Sequence, residues 1–260
     1  MLSLRIREIK MAFDLPNYSF AVYWIIFFGI IVGRYFLIAG GIYLLFYGIF
    51  KQFILQRGAV LSASSEELVR KDIELSLLST IIFSLGAAFI FKAYQQGNTL
   101  LYTAVNDYGI WYLVISFLAV LFLQDTCFYF THRLFHHPSL FKWFHQGHHR
   151  SKKPTPWTSF AFDPAEAFVQ ALFLVGVVFI IPLHFFTLLA LLMTMTLWAI
   201  LTHLGFPLFP ASLPYSWFGK WLISSTHHSL HHRKYTANYG LYFTIWDLLL
   251  QTQDKSYEPQ

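Results

Sequence analysis

Three stretches of this 260-residue chain, Leu75–Phe91, Tyr108–Gln124 and Ala167–Thr202, contain no Asp, Glu, Lys or Arg. Runs of that length limit the fold more than any motif does. A helix crossing a bilayer needs about 20 mostly apolar residues, and a single soluble domain has no interior large enough to bury several such helices all round. The composition agrees: 12% of residues are charged, where a soluble domain carries about a quarter. The expected fold is therefore all-α, an integral membrane helical bundle of about four to five membrane segments.

The chain reads as one domain, 1–260. Spans are expected at 20–50, 75–94 and 109–131, with a membrane hairpin at 165–203 and a cap built from 132–164 and 204–260. The first span is apolar except for Arg34. The 36 residues of Ala167–Thr202, with Pro182 near the middle, come to about 54 Å of helix. That is short for two crossings of a ~30 Å core, so a hairpin entering and returning on one side fits best. Lys51–Glu74 is of mixed charge and is expected at the membrane surface.

The net charge of +5 comes from basic residues lying between apolar runs, which is the pattern of cytoplasmic loops beside anionic lipid rather than of a nucleic-acid binder. By that rule Lys51–Glu74, Asp125–Asp163 and the C-terminus face the cytoplasm, and Gln95–Asp107 lies outside. The basic flank Met1–Leu15, read as retained rather than cleaved, conflicts with a single first span. Either the segment 20–50 is a shallow hairpin around Gly40-Gly41, or the flank departs from the rule. The lone Cys127 excludes an internal disulfide.

All twelve histidines lie after position 131. His132-Arg-Leu-Phe-His136 sets two imidazoles one helical turn apart on one face, with Asp125 and Tyr129 on the same stripe. His145-Gln-Gly-His148-His149 and His228-Ser-Leu-His231-His232 each place three on a face, and His227 precedes the last set. His203 stands alone where the hairpin surfaces. His137 is out of phase with its cluster and His184 at the hairpin tip has no neighbouring ligand, so both read as structural. One H-x-x-x-H motif is weak evidence; the three clusters on one side of a membrane are strong, because so many imidazoles repel when protonated and are poorly satisfied when buried without metal. Their number exceeds one ion's coordination, which points to two metals. Imidazole accepts zinc, copper, iron or nickel alike. No H-E-x-x-H motif of a zinc protease and no Glu-x-x-His pair of a soluble di-iron bundle is present.

The segment Trp111–Thr252 resembles the membrane fatty-acid hydroxylase and sterol desaturase superfamily, which includes sterol C5-desaturases and cholesterol 25-hydroxylase. The likeness rests on Asp125-Thr-Cys-Phe-Tyr-Phe-Thr-His132-Arg, Phe144-His-Gln-Gly-His-His149, His203-Leu-Gly-Phe, Thr226-His-His-Ser-Leu-His-His232, Asn238-Tyr-Gly and Thr244-Ile-Trp-Asp247. The tail departs from the family's usual Gly-Thr, carrying Gln251-Thr252. The resemblance implies a cytosolic histidine-rich di-metal cap whose ligands are His132, His136, His145, His148, His149, His203, His228, His231 and His232, with His227 as a tenth. It implies two iron ions, replaceable by zinc in a recombinant sample, and O2 as co-substrate. The reaction would be hydroxylation or desaturation of a sterol, fatty acid or related lipid in lipid biosynthesis. Electrons would come from a separate donor, either cytochrome b5-like or a ferredoxin and reductase. The setting would be a bacterial inner membrane or the endoplasmic reticulum, with the active site facing the cytoplasm.

Asp125, Glu166, Asn238 and Asp247 are candidate acceptors for the ligands' second ring nitrogens, with Asp125 foremost because it shares the His132 stripe. Asp163 ranks below them, because Asp163-Pro164 suits a helix start, and Asn238-Tyr-Gly equally suits a turn. The competing reading is a histidine-rich membrane metal-binding or transport protein, which would carry its ligands along a path through the spans.

Overall fold

The computed structural model describes residues 17–56, 65–208 and 216–257. The flank Met1–Leu15 lies outside the described residues. The chain is mostly helical, and among the described residues four helices are long and apolar enough to cross a membrane: α1 (Phe20–Ile49), α3 (Glu66–Gln95), α4 (Ile110–Phe135) and α7 (Phe185–Thr202). A shorter apolar helix, α6 (Pro164–Ile180), forms a hairpin with α7. The short helices α2 (Lys51–Gln56), α5 (Pro138–Phe144), α8 (Ser225–Lys234) and α9 (Ile245–Leu249) complete the set discussed below. Large apolar side chains point outward, Leu37 and Trp111 each being 77% exposed, which suits a lipid solvent.

The first span is one continuous helix, so the hairpin around Gly40-Gly41 does not form. The helix instead widens into π segments at Phe36–Gly40 and Leu44–Ile49. Gly40 admits the Trp157 ring, which would lie 2.9 Å from any Cβ placed there, and Tyr35 Oη donates to the Trp157 carbonyl at 2.8 Å. The second helix begins at Glu66 rather than 75. Ser65 caps it by accepting from the Leu68 N–H, and Glu66 and Glu67 complement its N-terminal dipole. Apart from Asp72 its buried residues are small: Ser76, Ser79, Thr80, Ser84, Ala88 and Ala93. Small residues allow close helix approach where lipid gives no hydrophobic drive, and α3 packs between α1 and α6.

The α6–α7 hairpin reaches further than its residue count indicated. Its tip pairs in parallel with the loop between α3 and α4, Leu101 opposite Leu183 and Tyr102 opposite His184, and Leu100 N–H donates to the Val178 carbonyl. The tip therefore lies level with the opposite end of the bundle from the histidines. His184 caps α7 there, accepting from Phe186 N–H at Nδ1 and donating from Nε2 to the Thr103 carbonyl.

At the other end the loops fold over the bundle. Asp72, nearly two turns into α3 in the part expected at the membrane surface, is buried and accepts from Ser151 Oγ (2.8 Å) and Thr158 Oγ1 (2.6 Å), tying the first cap segment to the second span. The C-terminal segment is tied to α4: Tyr129 Oη and Thr252 Oγ1 share a 2.7 Å hydrogen bond. Gln251, just before it, has φ +56°, a left-handed conformation that costs a residue with a Cβ about 1–2 kcal/mol. Replacing Gln251 with Gly is expected to raise stability by about 1 kcal/mol, read as a higher melting temperature in detergent. An unchanged or lower melting temperature would contradict this account of the tail turn.

Candidate metal centre

Each histidine cluster is delivered by a separate local device. The third span runs to Phe135, so His132 stands in the last turn of α4 and His136 caps it. His145 ends α5, and His148 and His149 lie on the tight turn that follows. That turn needs glycine at 147: a Cβ there would collide with Asp163 Oδ1, and the Gly147 N–H donates to Asp163 Oδ2 at 2.6 Å. His203 caps α7. His228, His231 and His232 share a face of α8, which Ser224 starts.

These elements bring nine histidines into two groups. His132, His136, His145, His149 and His231 form one; His148, His203, His228 and His232 form the other. Within each group one nitrogen per ring lies within 4.8 Å of all the others. Across pairs the Nε2 atoms are 2.9 Å apart for His132 and His145, 3.1 Å for His136 and His231, 3.1 Å for His149 and His231, 2.9 Å for His203 and His228, and 3.0 Å for His228 and His232.

The opposite ring nitrogens decide what those contacts are. His132 Nδ1–H donates to the Tyr239 carbonyl (2.9 Å), His148 to Ala161 (3.1 Å), His203 to Ala199 (2.6 Å) and His231 to Ala237 (2.7 Å). His145 Nδ1–H donates to Glu166 Oε2 at 2.6 Å. A carbonyl, and Glu166 as a carboxylate, only accepts, so each of these rings carries its proton on Nδ1 and a bare lone pair on Nε2. His132 and His145 thus face each other with two bare Nε2 atoms at 2.9 Å, and His148 and His203 with two at 3.4 Å, and neither pair can hydrogen-bond. A cation between the two rings of each pair satisfies both, so each group fits one metal ion.

Electrostatics point the same way. Burial, followed by repulsion from His231, pushes His136 down to about 2. Burial outweighs the carbonyl bonds at His148, held at about 4, and His231, held at about 3. Burial and neighbouring imidazoles likewise hold His149, His228 and His232 well below their ordinary value. The cap histidines are thus neutral at pH 7, the form a metal requires.

Other residues named from sequence fall elsewhere. His227 is in neither group; its Nδ1 accepts from the Ser224 N–H at 3.1 Å in a capping box, so its ring closes the start of α8. Exposed His137 bonds Ser139 Oγ, and neither it nor His184 joins a group. Asp125 does not reach a ligand ring: its Oδ1 accepts from Tyr242 N–H (2.7 Å) and Phe243 N–H (3.1 Å), fastening the tail to α4. Asn238 does not face the metal groups either. It has φ +59°, donates from Nδ2 to the His227 carbonyl and accepts from Asp254 N–H, which makes it a turn residue. Asp247 acts at one remove, accepting from the N–H groups of Tyr239 (2.9 Å) and Gly240 (2.8 Å) and so fixing the carbonyl that orients His132. Glu166 alone of the four meets a ligand ring. The carbonyls of Ala161, Ala199, Ala237 and Tyr239 carry no signal in a sequence, since every residue has one.

The two groups close one end of a cavity of about 690 Å³, and His132, His145, His148, His203 and His228 line it. Its walls are mainly apolar side chains of α1, α3, α4, α6 and α7, and it extends to Tyr94, Leu101 and Phe185 near the hairpin tip. Phe128 lies 4.8 Å from the His132 ring, and Phe162 stacks on His148 at 5.6 Å.

The profile of the fatty acid hydroxylase family matches residues 117–252, just over half of the chain. The chain belongs to this family. Among curated proteins it is 34% identical over 179 residues to the Delta(7)-sterol 5(6)-desaturase ERG3B of Gibberella zeae, covering 69% of this chain and 54% of that protein. It is likewise 34% identical over 181 residues to lathosterol oxidase of Homo sapiens, covering 69% of this chain and 59% of that protein. The chain thus spans little more than half the length of these relatives. No solved structure gives a significant match. Family membership and the four apolar helices make it an integral membrane protein with a histidine-rich end.

Two outcomes follow for this member of the family. Glu166→Ala frees His145 to rotate and should lower metal affinity 10- to 100-fold, measured by chelator competition; Glu166→Gln should retain more. Unchanged affinity in both would remove Glu166 from the site. The second outcome concerns acid. Folded values of about 4 for His148 and about 3 for His231 lie below the ~6.5 of an unfolded imidazole, so the unfolded chain binds more protons as pH falls. Metal-free protein should therefore hold its full stability above about pH 6.5 and lose it progressively toward pH 4. A melting temperature flat across that interval would contradict neutral, buried histidines.

Proposed function

We propose that this protein is a non-haem, di-iron, O2-dependent lipid oxidoreductase, a hydroxylase or desaturase acting in lipid biosynthesis. The observation that carries the reading is the opening of two groups of converging imidazole nitrogens onto the end of a long apolar cavity. A volume of about 690 Å³ falls within the ~300–1,000 Å³ of small-molecule sites, and the enclosing helices suit a hydrocarbon.

In this reading His132, His136, His145, His149 and His231 hold one iron, and His148, His203, His228 and His232 the other. A bound iron pair supplies the reduction of O2 and the oxidising power to break a C–H bond. The chain's own residues do the rest. Glu166 and the carbonyls of Tyr239, Ala161, Ala199 and Ala237 fix each ring's tautomer and direction. Phe128 and Phe162 keep water from the histidines and lie where a hydrocarbon must pass. The apolar walls align the substrate lengthwise, so its reacting carbon is set by how far it can enter. Hydroxylation and desaturation share their first hydrogen abstraction, and these residues serve either. The relatives named as a sterol desaturase and a lathosterol oxidase favour a sterol or similar lipid. Electrons come from a separate donor, cytochrome b5-like or a ferredoxin and reductase. The basic loops favour a cap facing the cytoplasm, in a bacterial inner membrane or the endoplasmic reticulum.

A transport protein would carry ligands along a route through the spans. Here the two groups lie side by side at one end, which favours catalysis. Lipid profiles of cells expressing the intact chain or His148→Ala test the reading. A lipid heavier by one oxygen means hydroxylation, and one lighter by two hydrogens means desaturation; either should vanish in the variant. Metal-dependent ion flux with no lipid change would overturn it.

A further inference from the structure

Arg34 has no role in the metal centre. It is the only charged residue of α1, and it lines the cavity. Along the helix it lies 14 residues from Phe20, about 21 Å, so it stands inside the apolar layer rather than at its edge. Its Nε is buried and has no hydrogen-bond partner, and among the described residues no carboxylate pairs with the guanidinium. Its guanidinium lies over the face of the Phe160 ring, 5.8 Å from guanidinium carbon to centroid. That contact offsets part of the charge but supplies no acceptor for the N–H groups.

A cation held this way is costly unless a partner arrives with the ligand. An alcohol offers one weak acceptor, whereas an anionic head offers a countercharge and a planar or tripod set of oxygens that fits the guanidinium fork. Phe160 also precedes Ala161, whose carbonyl orients His148, so Arg34 and the second histidine group share one wall of the cavity.

We propose that Arg34 binds the anionic oxygens of an amphiphilic substrate, so the preferred lipid carries an acidic group such as a carboxylate. Arg34 is thereby a specificity-determining residue. The proposal rests on the lipid-oxidation reading for its site, but it concerns binding and is tested without turnover.

The test uses the full metal-loaded chain in phosphatidylcholine nanodiscs. Equilibrium binding is measured for palmitate against hexadecanol, and for a steroid carboxylic acid against its matching alcohol. At least one acid should bind about tenfold tighter than its alcohol. Arg34→Gln should weaken the acid about tenfold and leave the alcohol unchanged, while Arg34→Lys keeps most of the preference. Equal binding of acid and alcohol by the unaltered chain, or no binding of either acid, would overturn the proposal. So would equal losses for acid and alcohol in both variants, the mark of a packing role. Displacement of the acid by phosphatidylglycerol added to the nanodisc would assign Arg34 to a bilayer headgroup instead. Failure of any of these leaves lipid oxidation untouched, and absence of oxidation leaves the acid preference measurable.

Discussion

Buried imidazoles whose lone pairs face one another are the constraint around which the rest of this structure is organised. Four of the rings give their Nδ1 proton to a backbone carbonyl and one to Glu166, and this leaves five bare Nε2 atoms aimed inward. Where two of them meet, at His132 with His145 and at His148 with His203, neither ring has a proton to share, and an added one would be buried among other imidazoles. A metal ion between the two rings of each pair satisfies both. The capping loops, the glycine at 147 and the tail fastened by Asp125 and Asp247 all serve to hold these rings in that otherwise unfavourable arrangement.

The membrane helices contribute by setting a fixed level for the site. The α4 helix carries His132 to the end of a 26-residue span, and α7 ends on His203. Asp72 ties the loop after His149 to α3. The metal groups therefore sit against the bundle's end and open into its interior, where a hydrocarbon can lie. In a membrane protein the small, hydroxyl-bearing face of α3 matters as much as any apolar core, because it lets the cavity's walls close without bulky side chains filling the space.

Much of this was legible in the residues. Uncharged runs marked the spans, and the i, i+3, i+4 spacing marked which histidines could share a face. Periodicity was less reliable at the next level. It put Asp125 beside the ligands because it lies on the His132 stripe, yet seven residues is two turns, and two turns down the helix its partners belong to the tail. Glu166 reaches His145 from 21 residues away, across a loop whose path no spacing encodes. His227 and His228 are neighbours of one residue type, and only the start of α8 separates a capping ring from a converging one. The expected hairpin forms, and its tip reaches the loop between α3 and α4 because it is an extended pair with Leu101 and Tyr102, which advances further per residue than helix does.

If each of the two groups of histidines holds one metal ion, metal-free protein titrated anaerobically with ferrous iron should bind two equivalents. Binding should fall to one equivalent in a variant with His203 and His228 both changed to Ala, and to one in a variant with His132 and His231 both changed to Ala. A single equivalent in the unaltered chain, or two equivalents surviving either double substitution, would rule out a separate ion in each group.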